Sequence, residues 1–274
     1  MIEKKCKTAR LDRKKIKFSF LGIYSVVVYI FLYIPLLVVI FYSFSATKSI
    51  VYFERFSMDW YKALIEDRTL LQTTLHSVQV GLIATSISII VGTSGGFFLA
   101  RAKIKGKEVF ATLCQLPLVL PGIIMGLALL VFFMSLNIKL SMFTILLAHT
   151  VFTTPVVMFQ VASRLQRLGF TYEDAAKDLG ANSFKTFFLV ILPMIKTAII
   201  GGGLLAFTLS FDEIIITFFV TGTWVTLPVY MYSLLRYGLT PQVFAISTII
   251  LFFSIVIIFF MAKFTEVKSE RVQR

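Results

Sequence analysis

Residues 169–193 read Gly169-Phe-Thr-Tyr-Glu-Asp-Ala-Ala-Lys-Asp-Leu-Gly180, then Ala-Asn-Ser-Phe-Lys-Thr-Phe-Phe-Leu, then Val190-Ile-Leu-Pro193. The first part predicts a short helix. Thr171 suits an N-cap, and Asp174 three residues later makes a capping-box-like arrangement. Glu173 and Asp174 suit the positive end of a helix dipole. Ala175 and Ala176 are strong helix formers, and Gly180 is a natural stop. Asn182 or Ser183 is placed to cap a second helix running toward Pro193. The stretch therefore reads as a rigid helix–turn–helix with a small Ala face. Such a face either admits the close approach of another protein or is a plain surface helix.

Outward from this stretch the chain is apolar. Of 274 residues, 58% are hydrophobic, 29 are Phe and only 15% are charged. Average soluble domains are roughly 45–50% apolar and about 25% charged. That excludes an ordinary soluble globule, a disordered chain and a disulfide scaffold, and it points to an integral membrane protein. A spanning helix needs about 20 apolar residues. The chain then has room for several spans and none for a large soluble catalytic domain. Cys6 and Cys114 form no disulfide framework, and two His and two Cys at unrelated positions form no metal site.

Charge-free runs cover residues 18–47, 69–100, 109–138, 140–163 and 237–262. Residues 214–235 are also uncharged but hold Thr217, Thr221, Gly222, Thr223, Trp224, Thr226 and Pro228, a poor helix interior. A span over about 192–216 fits better, with Lys196 snorkelling at one end. Residues 217–240 are then expected to form an outer segment, surface loop or partly re-entrant. The expected plan is all-α with six spans, near 18–44, 70–99, 109–134, 142–162, 192–216 and 242–262. Residues 1–17 form a basic N-terminus, 18–262 the membrane domain, 163–190 its inner loop and 263–274 the tail.

The positive-inside rule supports that count. Six spans put 21 of the 27 Lys and Arg on one side and six on the other. A seventh span would move the basic tail across and spoil the asymmetry. Both ends are therefore expected on the cytoplasmic side, with the first run an uncleaved signal anchor too long for a secretory signal. The net charge of +13 is explained by orientation, and no nucleic-acid-binding motif accompanies it. Pro117, Pro121, Gly122, Gly126, Pro155 and Gly201-Gly202-Gly203 interrupt the spans, as packing bends or as hinges. Gly92, Gly95 and Gly96 permit close helix contact.

The inner loop carries a resemblance. Asp174-Ala-Ala-x3-Gly180-x9-Val190-x-Leu192-Pro193 resembles the EAA loop of bacterial ABC-importer permeases, with Asp174 in place of Glu and Val190 in place of Ile. Ser210-Phe-Asp-Glu-Ile-Ile-Ile-Thr-Phe-Phe, Gly222, Thr226-Leu-Pro228, Tyr232-Ser, Arg236-Tyr-Gly-Leu-Thr-Pro241 and Ala245-Ile-Ser-Thr248 are similar to the spermidine/putrescine transport permease group. The resemblance implies a type I ABC importer permease fold in the bacterial inner membrane. It implies a non-catalytic subunit without cofactor. Its partners would be a second homologous permease, two ATP-binding subunits and an extracytoplasmic solute-binding protein. It further implies that Glu173, Asp174, Ala175, Ala176 and Gly180, followed by Leu192 and Pro193, form the ATPase-coupling element. The implied solute is a polyamine, with opines and aminoalkylphosphonates as alternatives within the group. The chain shows no nucleotide site of its own. Gly180-Ala-Asn-Ser-Phe-Lys185-Thr186 lacks the second Gly of a phosphate loop and places Lys one position early.

Candidates for a substrate path are few. Asp212 and Glu213 are the acidic pair placed at membrane depth, where lipid exposure costs about 2.5–3.5 kcal/mol or more. They either meet an amine or serve as an interfacial cap or a salt bridge to the partner. Trp224, Tyr230 and Tyr232 either stack on an alkylammonium group or belong to an aromatic belt. His76, Gln79 and His149 either join helices or line the path. The first outer loop, 46–69, is a landing surface for a binding protein or a solvated loop. A secondary transporter would need internal repeats or coupling charges, and a membrane enzyme would need a reactive cluster. The sequence shows no repeat and no cluster.

Overall fold

The architecture comes from a computed structural model that describes residues 2–47, 52–237 and 241–270. Its helices in order are α1 (Ile2–Ser43), α2 (Asp59–Glu66), α3 (Arg68–Arg101), α4 (Lys107–Val119), α5 (Gly122–Ser135), α6 (Met142–Leu168), α7 (Thr171–Asp178) and α8 (Ser183–Lys185). A π-helical turn at Thr186–Ile191 follows, then α9 (Leu192–Phe211), α10 (Ile215–Val220), α11 (Leu227–Tyr237) and α12 (Pro241–Glu270). An isolated bridge between Ser45 and Phe56 is the only β pairing among the described residues. Lys48, Gly238 to Thr240, Arg271 and Arg274, which the sequence places in outer segments and the tail, lie outside the described residues.

The chain divides into two compact units. One comprises residues up to Asp67 and from Leu234 onward. In it α1 packs on α12, and α12 on α2. Every side chain from Leu21 to Val38 is exposed. A helix apolar all round belongs in a core or a lipid phase. At the end of α1 a knot of rings closes the turn, with Phe41 stacked on Phe53 and Phe56 edge-on to both. Trp60 Nε1 donates to the Ser45 carbonyl at 2.8 Å, and the Ser43 and Tyr61 hydroxyls lie 2.7 Å apart.

The other unit, Arg68–Ser233, is built on α3, α6 and α9. The buried face of α3 runs Thr73, Ser77, Val80/Gly81, Ala84/Thr85, Ser88, Gly92/Thr93, Gly96 and Leu99, a seam of small residues at helical spacing. In lipid, helices gain no hydrophobic drive to associate, so close van der Waals approach through small residues does the work. A Cβ on Gly96 would lie 2.6 Å from the Met158 carbonyl oxygen, so α3 and α6 touch backbone to backbone there. One core cluster, with Val157, Val161, Leu165, Ile191, Ile195 and Ala206, joins α6 and α9. A second, with Val80, Phe133, Ile145, Ile216 and Val220, gathers α3, α5, α6 and α10.

Among the described residues, four helical stretches are long and apolar enough to cross a membrane: Leu21–Ser43, Arg68–Arg101, Met142–Leu168 and Ser183–Phe211. The stretch expected to span over 109–134 is broken into two helices, α4 and α5, bent by 102° at Leu120–Pro121. The cause is local. Pro121 has no N–H to continue the ladder, and its ring drives Leu120 into extended backbone at φ −67, ψ 138. α12 (Pro241–Glu270) carries the uncharged apolar run that the sequence continues to Ala262. The expected span 192–216 also differs, since α9 ends at Phe211 and α10 begins anew at Ile215. Of the expected outer segment, the described residues 217–237 are mostly helical, in α10 and α11.

Candidate functional site

The loop after α6 is ordered by two glycine turns around one short helix. Gly169 sits at φ +64 and Gly180 at φ +81, a left-handed backbone that only glycine adopts freely. Gly180 N–H donates to the Lys177 carbonyl at 2.8 Å and Ala181 N–H to that of Ala176 at 2.9 Å. This is a Schellman closure of α7. The start of α7 differs from the expectation. Phe170 is the N-cap, its carbonyl accepting from Asp174 N–H at 3.0 Å, and no side chain caps the helix. The helix begins one residue early because Gly169 and Phe170 are both held by Arg101, so a tertiary contact overrides the capping preference of Thr171.

That Arg101 contact is the strongest polar interaction of the loop. Its Nε donates to Glu173 Oε1 at 2.6 Å, and the two side chains are 9% and 11% exposed. Its Nη2 donates to the Gly169 carbonyl at 2.6 Å, and its guanidinium carbon lies 4.5 Å from the Phe170 ring centroid. Removing one member of such a buried pair leaves an uncompensated charge, at about 3–5 kcal/mol. Asp174 and Lys177, 3.6 Å apart, are by contrast well exposed, and a pair of that kind adds little.

The residues implied by the resemblance thus fall on two faces. Glu173 and Ala176 are buried against the protein's own interior, while Asp174, Ala175 and Gly180 are exposed. Beside the exposed face stand large apolar side chains that the sequence did not single out, Leu179 at 89% exposure and Phe184 at 70%. Their signal was faint, since an apolar residue in a polar loop is common. Asn182 Oδ1 accepts from Lys185 N–H at 2.8 Å and caps the following turn. The helix then widens to π over Thr186–Ile191, with Leu192 N–H reaching the Phe187 carbonyl. Pro193 explains this, because its ring clashes with a carbonyl four residues earlier unless the register shifts. Leu192 is half-buried and Pro193 exposed.

The four residues of the expected substrate path each have a different neighbourhood. Glu213 Oε1 accepts from Ile216 N–H at 2.8 Å, so its carboxylate caps α10. Asp212 ends α9 and is exposed. Trp224 lies flat on His76, ring centroids 3.8 Å apart, and the Nδ1–H of His76 donates to the Val225 carbonyl at 2.9 Å. Tyr232 is exposed and edge-on to Phe218 at 6.3 Å.

The same unit holds a buried polar chain. His149 Nδ1 is 2.7 Å from Ser210 Oγ, and Nε2 is 2.8 Å from Thr217 Oγ1. The Thr217 hydroxyl proton goes to the Glu213 carbonyl, so Nε2–H is the donor and Ser210 donates to Nδ1. On the other side Thr153 donates to the His149 carbonyl at 2.7 Å, and Ser88 lies 2.7 Å from Thr153. The chain ties α3, α6, α9 and α10 together at a depth where water is scarce.

Residues 92–269 match the family described as binding-protein-dependent transport system inner membrane component. The chain is 37% identical over 249 residues to the putrescine transport system permease protein PotI of Escherichia coli K12, covering 88% of each. It is 33% identical over 243 residues to the spermidine/putrescine transport system permease protein PotC of Haemophilus influenzae, covering 88% of this chain and 95% of that one. In structure it is similar to a chain of a bacterial ABC transporter involved in the import of the acidic polysaccharide alginate. The TM-score is 0.68 at 15% identity, over 90% of this chain and 94% of that one. The all-helical fold is thus that of an ABC importer permease. With its long apolar helices and its structured loop, the chain belongs to the binding-protein-dependent transport system inner membrane component family, as a multi-pass permease subunit of the inner membrane.

Proposed function

We propose that the subunit moves a polyamine, spermidine or putrescine, inward across the cytoplasmic membrane. It works with a second homologous permease, two ATP-binding subunits and an extracytoplasmic solute-binding protein. Six spans leave both termini and residues 163–190 in the cytoplasm. The ATPase subunit seats against the exposed face of α7, where Asp174, Ala175 and Gly180 admit close approach and Leu179 and Phe184 supply apolar contact. Glu173, Ala176, Leu192 and Pro193 hold that face in place from behind. ATP-driven closure of the ATPase pair rocks the helices between outward- and inward-open states. Asp212 and Tyr232, both exposed, offer a carboxylate and an aromatic face to an alkylammonium solute, with Glu213 and Trp224 shaping the same outer region. One observation carries the coupling part of this reading, a short helix closed by a Schellman turn with a small polar face left outward. The solute is inferred from the relatives, which are putrescine and spermidine/putrescine permeases.

The test is ATP hydrolysis by the complete complex in liposomes, with the binding protein loaded with spermidine or putrescine. Stimulation by either is expected. Response to an opine or an aminoalkylphosphonate alone would remove the polyamine assignment and leave the permease role standing. Gly180→Pro in the same complex removes the N–H that closes α7 and forbids φ +81, so it should insert normally yet lose stimulation. Normal stimulation by that variant would sink the docking assignment.

A further inference from the structure

α7 is only eight residues long and hangs between two glycine turns, Gly169 and Gly180, with nothing within 4 Å of a Cβ at either. A helix hung so cannot carry force in a defined direction unless something fixes it to the transmembrane helices. We infer that Arg101 is this fixture, the joint through which movement of α7 enters the membrane bundle by way of α3. The inference rests on the reading of α7 as the ATPase-docking helix and adds the route by which its movement travels.

Three contacts converge on one guanidinium. Nε holds Glu173 in the first turn of α7, Nη2 holds the carbonyl of the Gly169 pivot, and the planar group lies over Phe170, the N-cap. Both α7 itself and the pivot before it are therefore clamped to the last residue of α3. A planar fork makes such a multi-point grip, and an ammonium does not. From Arg101 the route inward is short. Gly96 lies five residues earlier, about 7.5 Å along the helix at 1.5 Å per residue, and there α3 presses against the Met158 carbonyl and the Val161 side chain of α6. A displacement of Arg101 is passed on at that contact because close-packed backbone has no slack. The covalent route from α7 to α9 is softer, since it passes the Gly180 pivot and the π-helical turn. Arg101 and Glu173 lie behind α7, whereas Asp174 and Ala175 lie on its exposed face. The pair is therefore a positioning device and not part of the docking surface.

The test uses the complete transporter in liposomes with its loaded binding protein. Arg101→Gln should insert, retain the ATPase subunits on purification and keep basal ATP hydrolysis within about twofold. Its stimulation by the loaded binding protein should fall at least tenfold. Arg101→Lys, which keeps charge without the fork, should fall in between. The exchange Arg101→Glu with Glu173→Arg should recover at least threefold of the stimulation lost by Arg101→Glu alone. That rescue would not follow if either residue merely filled space. Full stimulation of Arg101→Gln overturns the joint while leaving docking intact. Loss of the ATPase from Arg101→Gln also overturns it, by making the pair a docking requirement. A wild-type chain that fails to retain the ATPase overturns the docking reading, and the joint with it.

Discussion

His149 shows what a single side chain decides inside a membrane protein. It is 1% exposed, and both ring nitrogens are engaged. Sequence marked it as polar within a span, either joining helices or lining a path. Its partners, 61 and 68 residues away, could not be read from local spacing. His149→Ala strands the Ser210 hydroxyl and removes the donor to Thr217, which keeps its own hydrogen bond to the Glu213 carbonyl. Hydrogen bonds between membrane helices average about 0.6 kcal/mol and reach about 1.7. Loss toward the upper end is expected, because two bonds go at once. Thermal unfolding of the detergent-purified subunit measures it, and an unchanged midpoint would mean the ring is not bridging. Arg101 is the converse case. Sequence counted it only as a topology-setting charge, while the fold gives it Glu173, Gly169 and Phe170 together.

Among elements, the glycines separate into working and idle positions. The run Gly201-Gly202-Gly203 reads in sequence as one bend or hinge. In the fold, α9 continues through it as regular helix. Gly203 meets Ile89 with 2.7 Å of room for a Cβ, and Gly202 meets the Val157 backbone at 3.2 Å, while Gly201 meets nothing within 4 Å. Gly96→Ala should therefore destabilise the α3–α6 pair by about 1–3 kcal/mol, the usual cost of overpacking. Gly201→Ala should be neutral or stabilising by about 0.5–1 kcal/mol, because helical glycine has entropy to lose. Parallel thermal melts of the two variants check the contrast, and equal effects would refute the assigned packing. The α4–α5 break was half legible. Pro117 and Pro121 announced an interruption, but the 102° bend depends on where each half finds a partner, α5 lying on α10.

At the scale of the whole molecule, charge governs orientation. The expected six-span topology follows from the asymmetry of 21 against six Lys and Arg. Alkaline phosphatase fused after residue 274 should be inactive, and the same enzyme inserted in the 46–69 segment active. An active C-terminal fusion would require an odd number of spans. Sequence by itself determined the membrane class, the approximate places of the long helices and the motif at Asp174–Pro193, because hydropathy, helix stops and fixed spacing are local properties of the chain. It placed the cap of α7 one residue late, where a local preference was overridden by a distant contact, and it left open the bend within 109–134 and the form of 217–240. Only the tertiary structure decided which residues of α7 face outward and which are gripped from behind. Only it paired His149 with Ser210 and Thr217, and only it found Arg101 beneath α7. Those facts depend on contacts between segments dozens of residues apart, and in a bilayer such contacts follow from packing fit rather than from any pattern along the sequence.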